Sequence, residues 1–192
     1  MNPRPCGWTE AYFAFLALPA PGQPTTHILK PSIARFPHTT ENEALVMTLA
    51  VAVGLPVAPV EARTVAGRPY LLVTRYERRF DEHGRAHRLH QEDFCQALGV
   101  PPERKYASED GPTFKARCDL LRRATTVPAV AVLALLDTVI FNLIAGNPDA
   151  HGKNFSLLYQ AGAVSPAPFY DWLSTVAYPD LNRPGFFGGL IP

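Results

Sequence analysis

Charge of one sign is scarce in this chain: 18 Lys and Arg stand against 17 Asp and Glu, a net +1. So even a balance produces no strong field, and nothing in it argues for a nucleic-acid or a membrane surface as partner. Cysteine is nearly missing as well. Cys6, Cys95 and Cys118 are odd in number, widely spaced and without a CxxC pair, which removes a disulfide framework and predicts a reducing, cytoplasmic compartment. No secretory leader is legible: the apolar run Ala11–Leu18 is short and follows Glu10, where a leader would be basic. His151 has no second ligand four residues away, so zinc is not expected. One long apolar run exists, residues 127–145, but Asp137 and Asn142 interrupt it. With Pro128 at its first turn and Gly146 closing it, that run is expected to be a buried central helix rather than a membrane span.

What is present fits a globular chain. Hydrophobic residues make up 47% and charged residues 18% of 192, enough to bury a core as one domain or two small lobes. Twenty prolines divide the chain into short segments. Thr25–Lys30 reads as a strand stopped by Pro31. Residues 41–53 carry helix formers with apolar spacing, with Thr39 or Thr40 as N-cap, Glu43 completing a capping box, and Gly54 at the end. Val57–Thr64 and Tyr70–Tyr76 are β-rich and joined through Ala66-Gly67-Arg68, which predicts a hairpin. Beyond Arg79 the segments His90–Leu98, Thr113–Ala124 and Pro128–Ala145 read as helices, with Phe155–Tyr159 a short strand. The expected fold class is α+β: a segment 1–23 left unassigned, a sheet-bearing lobe over 24–80 and a helical lobe over 86–192.

The chemistry sits in Gly146-Asn-Pro-Asp149-Ala-His151-Gly-Lys153-Asn154, between the apolar helix and the short strand. Asp149 and Asn154 have the separation of base and metal-binding Asn in protein-kinase catalytic loops. Asp171 follows in Pro168-Phe-Tyr-Asp171-Trp-Leu-Ser174, where a hairpin through Gly162 could return it beside Asn154. Asn154 with Asp171 would offer hard oxygens to Mg²⁺. Each piece alone has a plain reading: the loop as a polar turn, Lys30 as a surface lysine, Glu43 as a cap. Their order carries the weight. A strand Lys30, a helix Glu43, two strands, then a helical lobe with D-x₄-N and a later Asp is the kinase order of parts.

The blocks Thr25–Pro31, Glu41–Glu43, Val73–Arg79, His90–Gly99, Lys105-Tyr106, Asp149–Phe155 and Pro168–Ser174 also resemble, in unbroken order, those of the HipA family. That resemblance implies a bilobal, protein-kinase-like fold and a bacterial serine/threonine kinase, the toxin of a type II toxin–antitoxin pair. It implies a HipB-like DNA-binding antitoxin as partner and a protein substrate, glutamyl-tRNA synthetase in the family. By resemblance Lys30 contacts the ATP phosphates and Glu43 orients it. Arg75-Tyr76 forms the hinge beside adenine, and Glu77, where the family has Asp, reaches the ribose. Asp149 is the base, Asn154 and Asp171 hold Mg²⁺, and His151 and Lys153 complete the catalytic loop, Lys153 offsetting phosphate charge. The chain departs from the family in its phosphate loop: residues 1–24 hold no serine and only Gly7 and Gly22. Gly185–Gly189 is no substitute, because no Lys-Ser/Thr follows it. The lobes are thus expected to be truncated at both ends relative to the family. The departures keep a second function open, a catalytically impaired remnant or split-toxin subunit that binds nucleotide or antitoxin. A third is a plain α+β scaffold.

Overall fold

The computed structural model describes residue 19 and residues 22–181, so the Ala11–Leu18 run, Cys6 and the Gly185–Gly189 run lie outside the described residues. Strands β2 (Val60–Val65) and β3 (Arg68–Thr74) form the expected hairpin. Its turn residues Ala66 and Gly67 have φ of 48° and 74°. Two left-handed residues in succession match the twist of the flanking strands. Strand β1 (His27–Pro31) pairs antiparallel with β3, Lys30 opposite Leu71, giving the order β1-β3-β2. Pro31 is its last residue, tolerable on an edge strand because it need not donate to the ladder.

Helix α1 (Thr39–Ala52) packs Val46, Met47 and Ala50 against this sheet. Its start differs from expectation. The N-cap is His38 at φ 60° with no side-chain cap bond, while Thr39 Oγ1 accepts from the Ile33 amide. No capping box forms, because the Glu43 carboxylate is drawn away by Lys30.

The second half carries a sheet of its own. After the hairpin β4 (Arg78–Phe80) and β5 (Ala86–Arg88) comes β6 (His90–Asp93), and then the short helix α2 (Phe94–Leu98). A single helix over 90–98 is therefore corrected. Asp93 accepts from the Gln96 amide in a capping box that starts the helix at 94. The residues before it pair with β7 (Ser156–Gln160), which turns through Ala161 and Gly162 into β8 (Ala163–Pro166). Helices α3 (Phe114–Ala124), capped by Thr113, and α4 (Pro128–Ala145) pack against one another.

Helix α4 has the predicted ends, but it is not buried all round. Ala131, Leu135, Thr138, Val139 and Asn142 form its buried face, while Val130, Leu133, Leu136, Ile140 and Ile144 are exposed. Apolar residues on every side conceal the periodicity that would show which face is packed. Among the described residues it is the one helix long and apolar enough to cross a membrane, and 28% of it is buried.

The halves are joined through Phe169. Its carbonyl accepts from the Ala58 amide and its own amide donates to Pro56, both at 2.8 Å. Trp172, fully buried, stacks between Phe141 of α4 and Phe169, with centroids at 5.2 and 5.3 Å. A sheet-and-helix half thus sits on a larger mixed half, an α+β arrangement.

Candidate active site

Strand β1 delivers Lys30 to the seam between the halves. Its Nζ donates to Glu43 Oε1 at 2.7 Å and to Asp171 Oδ1 at 2.5 Å. Glu43 reaches it because α1 crosses the sheet, and Asp171 because the chain returns past β8. Burial alone would lower the Lys30 amine, but the two carboxylates outweigh it and hold the group above its ordinary value. Burial raises Glu43 despite its lysine. Asp171 itself sits at φ 65°, a left-handed conformation uncommon outside glycine but tolerated by Asp.

Above this ion triad opens a cavity of about 270 Å³. Lys30, Glu43, Asp171, Arg75, Tyr76 and Glu77 are its charged and polar lining. Met47, Ala58, Val60 and Val73 provide apolar walls, a mixture suited to a flat heterocycle with a polar tail. The Tyr76 hydroxyl donates to Gln91 at 2.7 Å and its ring stacks on Tyr170. Glu77 is only 3% exposed and is held by Arg75 at 2.7 Å and Arg78 at 3.2 Å.

The loop after α4 is built from a chain of buried amides. Gly146 closes the helix at φ +67°. Asn147 donates to Asn142 Oδ1 at 2.6 Å and accepts from the Asp149 amide at 3.3 Å. The Asn154 amide group donates to the Asp149 carbonyl at 2.8 Å. Gly152 has to be glycine: an added Cβ would lie 2.7 Å from Pro112 and 2.8 Å from Cys95 Sγ. Asp149 keeps 39% of its side chain exposed, and Tyr106 donates to its Oδ1 at 2.6 Å. His151 is buried, with Nε2 3.9 Å from the same oxygen. Burial lowers its pKa, against the pull of Asp149 and of Asp171. The Lys153 carbonyl accepts from Tyr170, which ties this loop to the segment carrying Asp171.

The structure thus joins Lys30, Glu43 and Asp171 directly, and sets Arg75, Tyr76 and Glu77 around the same cavity. Asp149, His151, Lys153 and Asn154 share the adjoining loop. Among the described residues no cluster of three His, Cys, Asp or Glu could hold a metal. Asp171 and Asn154 lie on segments tied through the Tyr170 hydroxyl and the Lys153 carbonyl, and their oxygens are of the hard kind that could hold Mg²⁺ together with substrate phosphates. The residues that the sequence reading did not assign are the supports: Tyr106, Asn147, Tyr170 and Arg117. Arg117 is 1% exposed, with its pKa brought down to about 10 by burial, and it donates to the Pro112 and Ala150 carbonyls. The one signal available for this scaffold was Asn142, a polar residue in an apolar helix.

The chain as a whole is similar to known proteins. Y4mE of Sinorhizobium fredii is 68% identical over 167 residues, 87% of this chain and 40% of its own length. The serine/threonine-protein kinase toxin HipA of Shewanella oneidensis is 32% identical over 171 residues, 83% of this chain and 39% of its own. A structure of the Shewanella HipA, HipB and operator DNA complex superposes with a TM-score of 0.76 at 33% identity, covering 81% of this chain and 39% of that one. The Helicobacter pylori proinflammatory kinase CtkA, at 14% identity and TM-score 0.56, covers 75% of this chain and 48% of its own and shares the fold alone. The chain spans about 40% of the length of the first two relatives. The model of the HipA-like C-terminal domain matches residues 9–186, and the chain belongs to that family.

Proposed function

We propose that this chain transfers the γ-phosphoryl group of ATP to a serine or threonine of a protein, as the toxin of a cytoplasmic toxin–antitoxin pair. The observation that carries this reading is Lys30, held between Glu43 and Asp171 and lining the cavity. A strand lysine positioned by a helix glutamate is the phosphate-contacting device of protein kinases. Adenine would lie against Tyr76 and the apolar walls, with the phosphates toward Lys30. Asn154 and Asp171 would hold Mg²⁺, which when bound neutralises phosphate oxygens. Asp149 would accept the proton of the incoming hydroxyl, and Lys153 would offset phosphate charge. A HipB-like antitoxin as partner is supported by the complex in which the Shewanella relative was solved.

The test is incubation of the purified chain with labelled ATP, Mg²⁺ and glutamyl-tRNA synthetase, wild type beside Asp149→Ala. Loss of a general base costs about 10²–10⁴ in rate. Equal labelling by both proteins would remove Asp149 from the mechanism. ATP binding with no labelling by either would leave a nucleotide-binding protein that is not a kinase.

A further inference from the structure

Forty-three residues before Asp149 in the chain, Tyr106 places its hydroxyl 2.6 Å from Asp149 Oδ1. That length is typical of an O–H donor on a charged carboxylate. We propose that Tyr106 is a positioning residue: it pins Oδ1 and leaves Oδ2 as the oxygen that takes the proton of the incoming hydroxyl. The inference rests on the reading of Asp149 as base. In the step it serves, the hydroxyl proton passes to Oδ2. The freed oxygen bonds to the γ-phosphorus, and the β–γ bridging oxygen leaves with ADP.

Several contacts show that Tyr106 is held in place from its own side. The segment carrying it is anchored to the catalytic loop by the Gly152 amide, which donates to the Lys105 carbonyl at 2.9 Å. Arg117 bridges the Pro112 and Ala150 carbonyls, fixing the end of the segment to the loop a second time. Behind Tyr106 the chain folds back so tightly that a Cβ on Gly111 would lie 2.4 Å from the Arg104 and Tyr106 carbonyl oxygens. The Glu109 and Gly111 amides both donate to the Tyr106 carbonyl. The ring stands edge-on to His151, centroids 5.2 Å apart at 82°, and the Lys105 amine lies 5.0 Å over it.

Asp149 needs such a partner because its side chain is half-buried, with 39% still open to solvent. A carboxylate with a free rotamer loses alignment with its substrate, and misplacement by about 1 Å can cost ~10²-fold. His151 does not supply the restraint, since 3.9 Å is too long for a hydrogen bond. Burial, and after it the hydrogen bond to Asp149, raises the Tyr106 phenol, so it stays a donor at neutral pH and does not compete as a base.

Tyr106→Phe keeps the ring against His151 and removes only the hydroxyl. The expected result is a kcat lowered about tenfold with the KM for ATP within about twofold, since the contact acts on the acceptor side. Independently of turnover, the ¹³Cγ resonance of Asp149, assigned with Asp149→Asn, is expected to move in Tyr106→Phe. An unmoved resonance overturns the inference even for a chain without activity, and so does a wild-type kcat. Should Tyr106→Phe fail to fold, 3-fluorotyrosine placed at position 106 reports instead. Its ¹⁹F signal must differ between the otherwise native chain and Asp149→Asn, or the inference fails. Full transfer by Asp149→Ala would strike the base assignment itself, a separable outcome.

Discussion

His151 shows how a single buried side chain links the loop to pH. Burial holds its pKa below the ordinary 6.5, with Asp149 and Asp171 only partly opposing. As pH falls, the unfolded chain therefore takes up this proton before the folded one does. The stability His151 allows is present above pH 6.5 and is lost as pH falls through the lower folded value. The slope can reach about 1.4 kcal/mol per pH unit for one proton. His151→Gln is expected to flatten the decline in urea midpoint below about pH 6.5 relative to wild type, and parallel curves would contradict this. At this scale the sequence was informative where spacing crosses neighbouring elements. Lys30 and Glu43, thirteen residues apart on a strand and the next helix, meet at 2.7 Å as the kinase order suggested. It was silent on Tyr106, whose tie to Asp149 spans 43 residues, and on the two arginines that hold Glu77. Long-range pairing of polar groups leaves no local periodicity to read.

Helix α4 was legible in its ends and not in its faces. Pro128 and Gly146 mark a proline-compatible first turn and a left-handed stop, whereas an apolar stretch of eighteen residues carries no contrast between sides. The structure supplies that contrast, and it can be measured. Leu135 is 2% exposed and Ile144 is 82% exposed, both large aliphatic residues on the same helix. Leu135→Ala is expected to cost ~2–5 kcal/mol of unfolding free energy through lost contacts and a cavity. Ile144→Lys is expected to stay within ~0.5 kcal/mol. Denaturant titrations of the two variants decide it, and comparable losses would mean that the exposed face is packed in solution. Strand β6 failed to show for a different reason. Its residues His90–Asp93 take extended structure because β7, 66 residues away, offers an edge, and a capping Asp93 marks where local helix preference takes over.

Across the whole molecule the order strand, helix, strand, strand and then a larger lobe was readable from the chain, because each element follows its neighbour. The junction was not: it depends on Phe169 meeting Pro56 and Ala58, and on Trp172 wedged beneath it. Since Lys30 comes from one half and Asp171 from the other, a nucleotide bound between them would contact both lobes. A ligand that binds only the folded chain at a hundred times its Kd adds about 2.7 kcal/mol. For a chain of this size that is a rise in Tm of roughly 5–10 °C with ATP and Mg²⁺. Asp171→Asn, which also tolerates the left-handed φ of 65°, removes a charge from the cation's proposed donor set and should sharply reduce that rise. The apo Tm should move little, because the side chains of Lys30 and Asp171 are 34% and 46% exposed, and ion pairs open to water contribute modestly. Differential scanning calorimetry with and without ATP and Mg²⁺ separates the two quantities. An equal ligand-induced rise in both proteins would remove Asp171 from the nucleotide site, and a collapsed apo Tm would make its role structural.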